Sequence, residues 1–130
     1  MMNDPISPER SWIHKFRDAF RGLKAGVRGQ SSFIAHFFIA AAVIAAGTIL
    51  GLSLVEWCLL LLCIAGVLTA EMLNSALESM AKAITGQSDP HLGNSLDIGS
   101  AAVLVASIGA SIVGTIIFVH RLGVLLAWWQ

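Results

Sequence analysis

From Val55 to Ala70 the only ionisable side chains are Glu56 and two thiols, Cys58 and Cys63, and the run then ends in Glu71, Asn74, Ser75 and Glu78. A stretch this apolar predicts a membrane helix, because only a backbone bonded within its own segment is tolerated in hydrocarbon. Along such a helix, spacings of three, four and seven place Glu71, Asn74, Ser75 and Glu78 on one face, with Lys82 a turn further on. The helix expected over 55–84 is longer than one bilayer crossing at about 1.5 Å per residue. Its polar C-terminal part should therefore emerge into an interface, where these groups can converge on one ligand.

Composition agrees with a membrane setting. The chain is 56% hydrophobic and 12% charged, with a mean hydropathy of +0.78. A soluble domain carries about twice that charged fraction. The formal net charge of zero hides an asymmetry, since Arg10, Lys15, Arg17, Arg21, Lys24 and Arg28 put six of the eight basic residues before residue 30. The N-terminus is thus expected in the cytoplasm. Cys58 and Cys63, five apart in a helix, point about 140° from one another and form neither a disulfide nor a metal pair. The first strongly apolar run starts after Gln30, so no cleavable signal peptide is expected.

The remaining segments read in order. Residues 1–10 suggest a mobile tail. Over 11–28, Trp12, Ile13, Phe16, Phe20, Leu23 and Val27 fall on one arc and the basic residues on an adjoining one, which predicts an amphipathic surface helix. The same basic residues also suit a plain positive-inside anchor. The first crossing is expected over 31–54, with Ser32, His36, Ala40, Gly47 and Gly51 as a small-residue stripe along which another helix can approach. The second is expected over 55–84. Thr85 to Asn94 reads as a cytoplasmic loop, and Asp97 as the start of a third crossing over 97–119, followed by Arg121 and an interfacial belt of Trp128 and Trp129. The expected fold is an all-α integral membrane domain over 11–130, three crossings preceded by a surface helix.

Each polar group also has a purely structural reading. Asn74 and Ser75 could form a hydrogen-bonded helix seam, and a single Glu could pair with Lys82. Two carboxylates on one face at membrane depth nevertheless repel each other unless a cation is near. Asp97 at a helix start could be a charge favoured by the dipole.

The octapeptide Glu71-Met-Leu-Asn74-Ser75-Ala-Leu-Glu78, followed by Asp97-Ile-Gly-Ser-Ala-Ala-Val-Leu, resembles the signature of the prokaryotic diacylglycerol kinase family, integral-membrane lipid kinases that include undecaprenol kinases. The resemblance extends back through Phe33 to Arg21-Gly22-Leu23. It implies a homotrimer in the cytoplasmic (inner) membrane that uses ATP and Mg²⁺ to phosphorylate a lipid hydroxyl at the cytoplasmic interface. Carried over residue by residue, it makes Glu71 the general base, Asn74 a residue lining the nucleotide site, Glu78 a ligand of metal and nucleotide, and Asp97 a nucleotide-binding acid. Ser32, His36 and Glu71 are expected to meet the lipid. Such chemistry requires alignment, a metal to neutralise phosphate charge and a base for the hydroxyl proton.

Three positions depart from the family pattern. Gln30 replaces a second metal-ligating glutamate, although its amide oxygen can still coordinate Mg²⁺. Leu96 replaces a lysine before the aspartate, and Asp89 a loop histidine, with His91 nearby but out of register. His36 occupies a position that is histidine in undecaprenol-kinase-like members, which favours a polyprenol slightly. The leading expectation is an ATP:lipid phosphotransferase acting on diacylglycerol or undecaprenol. A catalytically silent oligomer that binds lipid or nucleotide is the alternative. A proton-carrying transporter subunit ranks last, because it leaves Asp97 and the basic helix without a role.

Overall fold

The computed structural model describes residues 11–28, 31–84, 86 and 88–128, so the expected tail over 1–10 lies outside the described residues. The described chain is all-helical: α1 (Trp12–Val27), α2 (Ser31–Leu50), α3 (Leu54–Ile84) and α4 (Pro90–Leu125). The last three are long and apolar enough to cross a membrane, and the protein is a multi-pass membrane protein. By rise per residue α2 is about 30 Å long, α3 about 46 Å and α4 about 54 Å. Most of the packing between helices joins α3 to α4, while α2 and α1 each meet α3 over shorter stretches.

The boundary between α2 and α3 is closed by local chemistry. Gly51, at φ 63°, takes the left-handed conformation that ends α2. The amides of Gly51 and Leu52 return to the carbonyls of Thr48 and Gly47, both at 3.3 Å, which is the Schellman pattern. Ser53 then opens α3: Glu56 N donates to Ser53 Oγ at 3.3 Å, and Ser53 N donates to Glu56 Oε2 at 2.6 Å. These reciprocal bonds form a capping box. The first crossing therefore stops at Leu50 rather than at residue 54. Beneath this turn Leu52, Leu60 and Ile117 form a buried cluster, flanked by Val43, Trp57, Val113 and Phe118. Arg121 ties α4 to the turn, donating from Nε to Leu50 O at 3.1 Å and from Nη2 to Gly51 O.

The fourth helix corrects the expected loop over 85–94 and the expected helix start at Asp97. It begins at Pro90, capped by Asp89, whose Oδ1 accepts from His91 N at 2.8 Å and Leu92 N at 3.0 Å. An Asp cap followed by Pro at the first helical position is a stronger start signal than Gly93 and Asn94 are a loop signal, since glycine inside a helix costs only about 1 kcal/mol. The helix also runs past Val119 to Leu125, so Arg121 is a helical residue. Of the expected belt residues, Trp128 is exposed and Trp129 lies outside the described residues.

In α1, Trp12, Ile13, Phe16 and Phe20 are exposed, and the Lys15 ammonium sits 4.8 Å from the Trp12 ring centre. The C-terminal end of α1 approaches α3 beside Met72: a Cβ built on Gly26 would lie 3.5 Å from Met72 Cε. The C-terminal end of α1 thus reaches the level of Glu71.

Candidate active site

At the end of the bundle away from the α2–α3 turn, polar groups are buried beside apolar ones. Glu71 is 2% exposed and Asn74 8%, both on the face of α3 that the three-four spacing defines. A carboxylate withdrawn from water is costly unless its oxygens are bonded. Here α2 supplies the partners. His36 Nε2 lies 3.0 Å from Glu71 Oε1, and Ser32 Oγ donates to Oε2 at 3.4 Å. Ser32 and His36 are four apart and therefore share a face of α2. Phe33, 2% exposed, anchors this end of the helix. Ser32 is exposed and His36 partly so, which makes them the outer members of the trio.

Further along α3, Asn74 Nδ2 donates to Glu78 Oε1 at 3.1 Å. The other amide atom, Asn74 Oδ1, is buried without a hydrogen-bond partner among the described residues. Ser75 does not converge on the cluster, because its hydroxyl donates to the backbone carbonyl of Glu71 at 2.9 Å. Lys82 is exposed beyond Glu78.

Within one chain Asp97 does not join these groups. It is exposed on α4, and it stands two residues, about 200° of helical rotation, from Gly99, which is buried against Asn74. Leu96, in contrast, is half-buried on the stripe facing α3. Asp89 is occupied as the cap of α4. Gln30 lies outside the described residues.

Two features escape sequence reasoning. One is a cavity of about 500 Å³ in the cleft between α2 and α4, floored by α3. His36 stands at one end, Leu60, Val67 and Phe118 line it, and Ser107, whose Oγ is buried without a partner among the described residues, adds a polar point. Its only sequence signal is the run of small residues along α2 and α4. The other is Gly99, where a Cβ would fall 2.6 Å from Asn74 Oδ1 and 3.0 Å from Leu77 Cδ1.

A family model for prokaryotic diacylglycerol kinase matches residues 17–118, from the middle of α1 to the outer part of α4. The chain belongs to that family. It is 32% identical over 113 residues to the undecaprenol kinase of Bacillus subtilis, a match covering 87% of this chain and 89% of that protein. It is also 38% identical over 100 residues to a diacylglycerol kinase of Synechocystis sp., covering 76% of this chain and 57% of that relative. Membership makes the chain a lipid kinase by family.

In this family setting the donor set around Glu78 fits a hard cation. The Glu78 carboxylate, whose Oε1 accepts from Asn74 Nδ2, is an oxygen donor of the kind Mg²⁺ prefers, whereas Asn74 Oδ1 faces Gly99 of α4. No cluster of three or more His, Cys, Asp or Glu side chains able to hold a metal by themselves occurs among the described residues. Magnesium bound with a nucleotide takes one or two carboxylates and completes its shell with phosphate and water.

Proposed function

We propose that this kinase transfers the γ-phosphoryl group of ATP to the hydroxyl of a membrane lipid, diacylglycerol or undecaprenol, at the cytoplasmic interface of the inner membrane. The observation that carries the proposal is the buried Glu71 carboxylate, held by His36 and Ser32 at the end of an apolar cleft. A lipid tail lying along that cleft would bring its hydroxyl toward this buried acid.

The residues divide the work. Glu71 takes the proton of the lipid hydroxyl while that oxygen bonds to the γ-phosphorus and the bond to the β–γ bridging oxygen breaks, releasing ADP. His36 fixes the direction of one carboxylate oxygen, and Ser32, bonded at the longer distance, yields its place to the substrate hydroxyl. Glu78 would hold Mg²⁺ and the nucleotide, Gln30 being the further oxygen donor that the sequence offers, and Asn74 sets the Glu78 carboxylate. When bound, the metal neutralises phosphate charge as it develops. The exposed basic residues of α1 suit a cytoplasmic membrane surface rich in anionic lipid.

The outward direction of Asp97 supports a shared site. In a homotrimer the Asp97 of one protomer would serve the nucleotide site of the next. Mixed oligomers of Glu71→Gln and Asp97→Asn chains are then expected to recover activity that neither variant has alone, and mixtures as dead as their components would remove the sharing.

The direct test is phosphoryl transfer from Mg²⁺·ATP in mixed micelles, with diacylglycerol and undecaprenol offered in parallel and Glu71→Gln as the blank. Turnover lost in the variant supports the reading and names the lipid. The position of Leu96, turned toward α3 where a phosphate contact would otherwise be offered, favours a second reading, a silent member that binds nucleotide without transfer. Nucleotide binding without turnover on either lipid would select it.

A further inference from the structure

Gly99 belongs to α4 and touches no reacting group, yet it faces the buried amide of the site. A Cβ built on it falls 2.6 Å from Asn74 Oδ1, closer than real side chains approach one another. Only a residue without a side chain lets α4 lie this near α3 at Asn74. In place of a Cβ, a Cα–H of Gly99 points along that direction, a weak contact suited to an oxygen with no conventional donor. The opposite end of the same amide donates to Glu78 Oε1 at 3.1 Å. Asn74 is thus confined from behind by α4 and aimed forward at the carboxylate. Its exposure of 8% leaves it little room to turn elsewhere.

We infer that Gly99 is a positioning residue for the nucleotide site: by admitting Asn74 between α3 and α4 it holds the Asn74 amide against Glu78. The inference rests on the proposed role of Glu78 toward Mg²⁺ and nucleotide. The physical link is direct. An alanine in place of Gly99 puts a methyl group against Asn74 Oδ1, the amide must swing away, and Nδ2 is drawn from a bond that at 3.1 Å has little slack. Glu71 is held instead by α2, so the lipid side of the site should not respond.

The test compares Gly99→Ala with Gly109→Ala, a control on the same helix where a Cβ meets nothing within 4 Å. In Gly99→Ala the KM for Mg²⁺·ATP should rise about tenfold, the loss expected for one hydrogen bond to a charged group, while the KM for lipid stays within about twofold. Gly109→Ala should match the parent in both. Because the effect runs through Asn74, adding Gly99→Ala to Asn74→Ala should change nothing further. The readout independent of turnover is the side-chain amide resonance of Asn74 in ¹⁵N-labelled protein, assigned by its loss in Asn74→Ala. It should shift in Gly99→Ala and hold in Gly109→Ala. Equal KM changes for both substrates, additive losses in the double variant, or an unmoved amide resonance would each overturn the inference. Should the Gly99→Ala substitution block assembly, combining it with Leu77→Ala removes the second contact, at 3.0 Å, and that double variant takes its place. If the parent protein transfers no phosphoryl group, the proposed function fails, while the Asn74 resonance still decides the role of Gly99.

Discussion

The two ends of the α3–α4 pair are built on opposite rules. At the α2–α3 turn, Gly51 ends one helix, Ser53 and Glu56 start the next, Arg121 covers the carbonyls of Leu50 and Gly51, and the space beneath is filled by Leu52, Leu60 and Ile117. At the other end the buried side chains include Glu71 and Asn74, and an amide oxygen is left without a hydrogen-bond partner among the described residues. Polar burial of this kind is a poor way to gain stability, and replacing such groups is often neutral for the fold. The difference suggests that one end holds the bundle together while the other holds the groups of the proposed site in place.

That division can be broken by substitutions that separate stability from turnover. Glu71→Gln should lower turnover by at least about 100-fold, the low end of what a general base supplies. It should leave the unfolding midpoint in detergent unchanged, because an amide can still bond His36 and Ser32. A variant that is inactive because it has unfolded would erase the distinction. Ile117→Ala, in the same buried cluster but outside the lining of the cleft, should do the reverse, costing about 2–5 kcal/mol in reversible unfolding through the cavity it leaves, with both KM values unchanged. Arg121→Met removes two donors from the turn and should cost about 1–3 kcal/mol by the same measurement. Ser53→Ala sharpens the comparison at its smallest scale, with about 1 kcal/mol lost from one cap and no change in turnover. If Arg121→Met or Ser53→Ala instead altered the KM for lipid at temperatures where the protein is fully folded, the turn would be part of the site.

The apolar runs made the three crossings legible, because length and charge depletion are one-dimensional properties of a chain. The common face of Glu71, Asn74 and Glu78 was equally available, since it follows from helical period alone. What could not be read depends on the partner across the gap. Arg121 finds its acceptors far earlier in the chain, at Leu50 and Gly51. Gly99 is one of several glycines in apolar helices, and nothing in the sequence says that Asn74 stands opposite it. Asp89 and Pro90 serve a loop as readily as they cap and open a helix, so reading 85–94 as a loop hid the start of α4, and with it went the direction of Asp97. Once the helix begins at Pro90, Asp97 lies well inside it, on the side turned from the site of its own chain.

The capped turn has one more consequence. Counting along α3, Glu71 stands seventeen residues from Leu54, or about 26 Å at 1.5 Å per residue, slightly less than the roughly 30 Å hydrocarbon thickness of a bilayer. With the turn at one face of the membrane, α3 would act as a ruler whose mark is the carboxyl proposed as the base. A thicker bilayer would submerge that mark beneath the glycerol level, and a thinner one would lift it into water. Turnover measured across phosphatidylcholines of increasing chain length should therefore pass through a maximum.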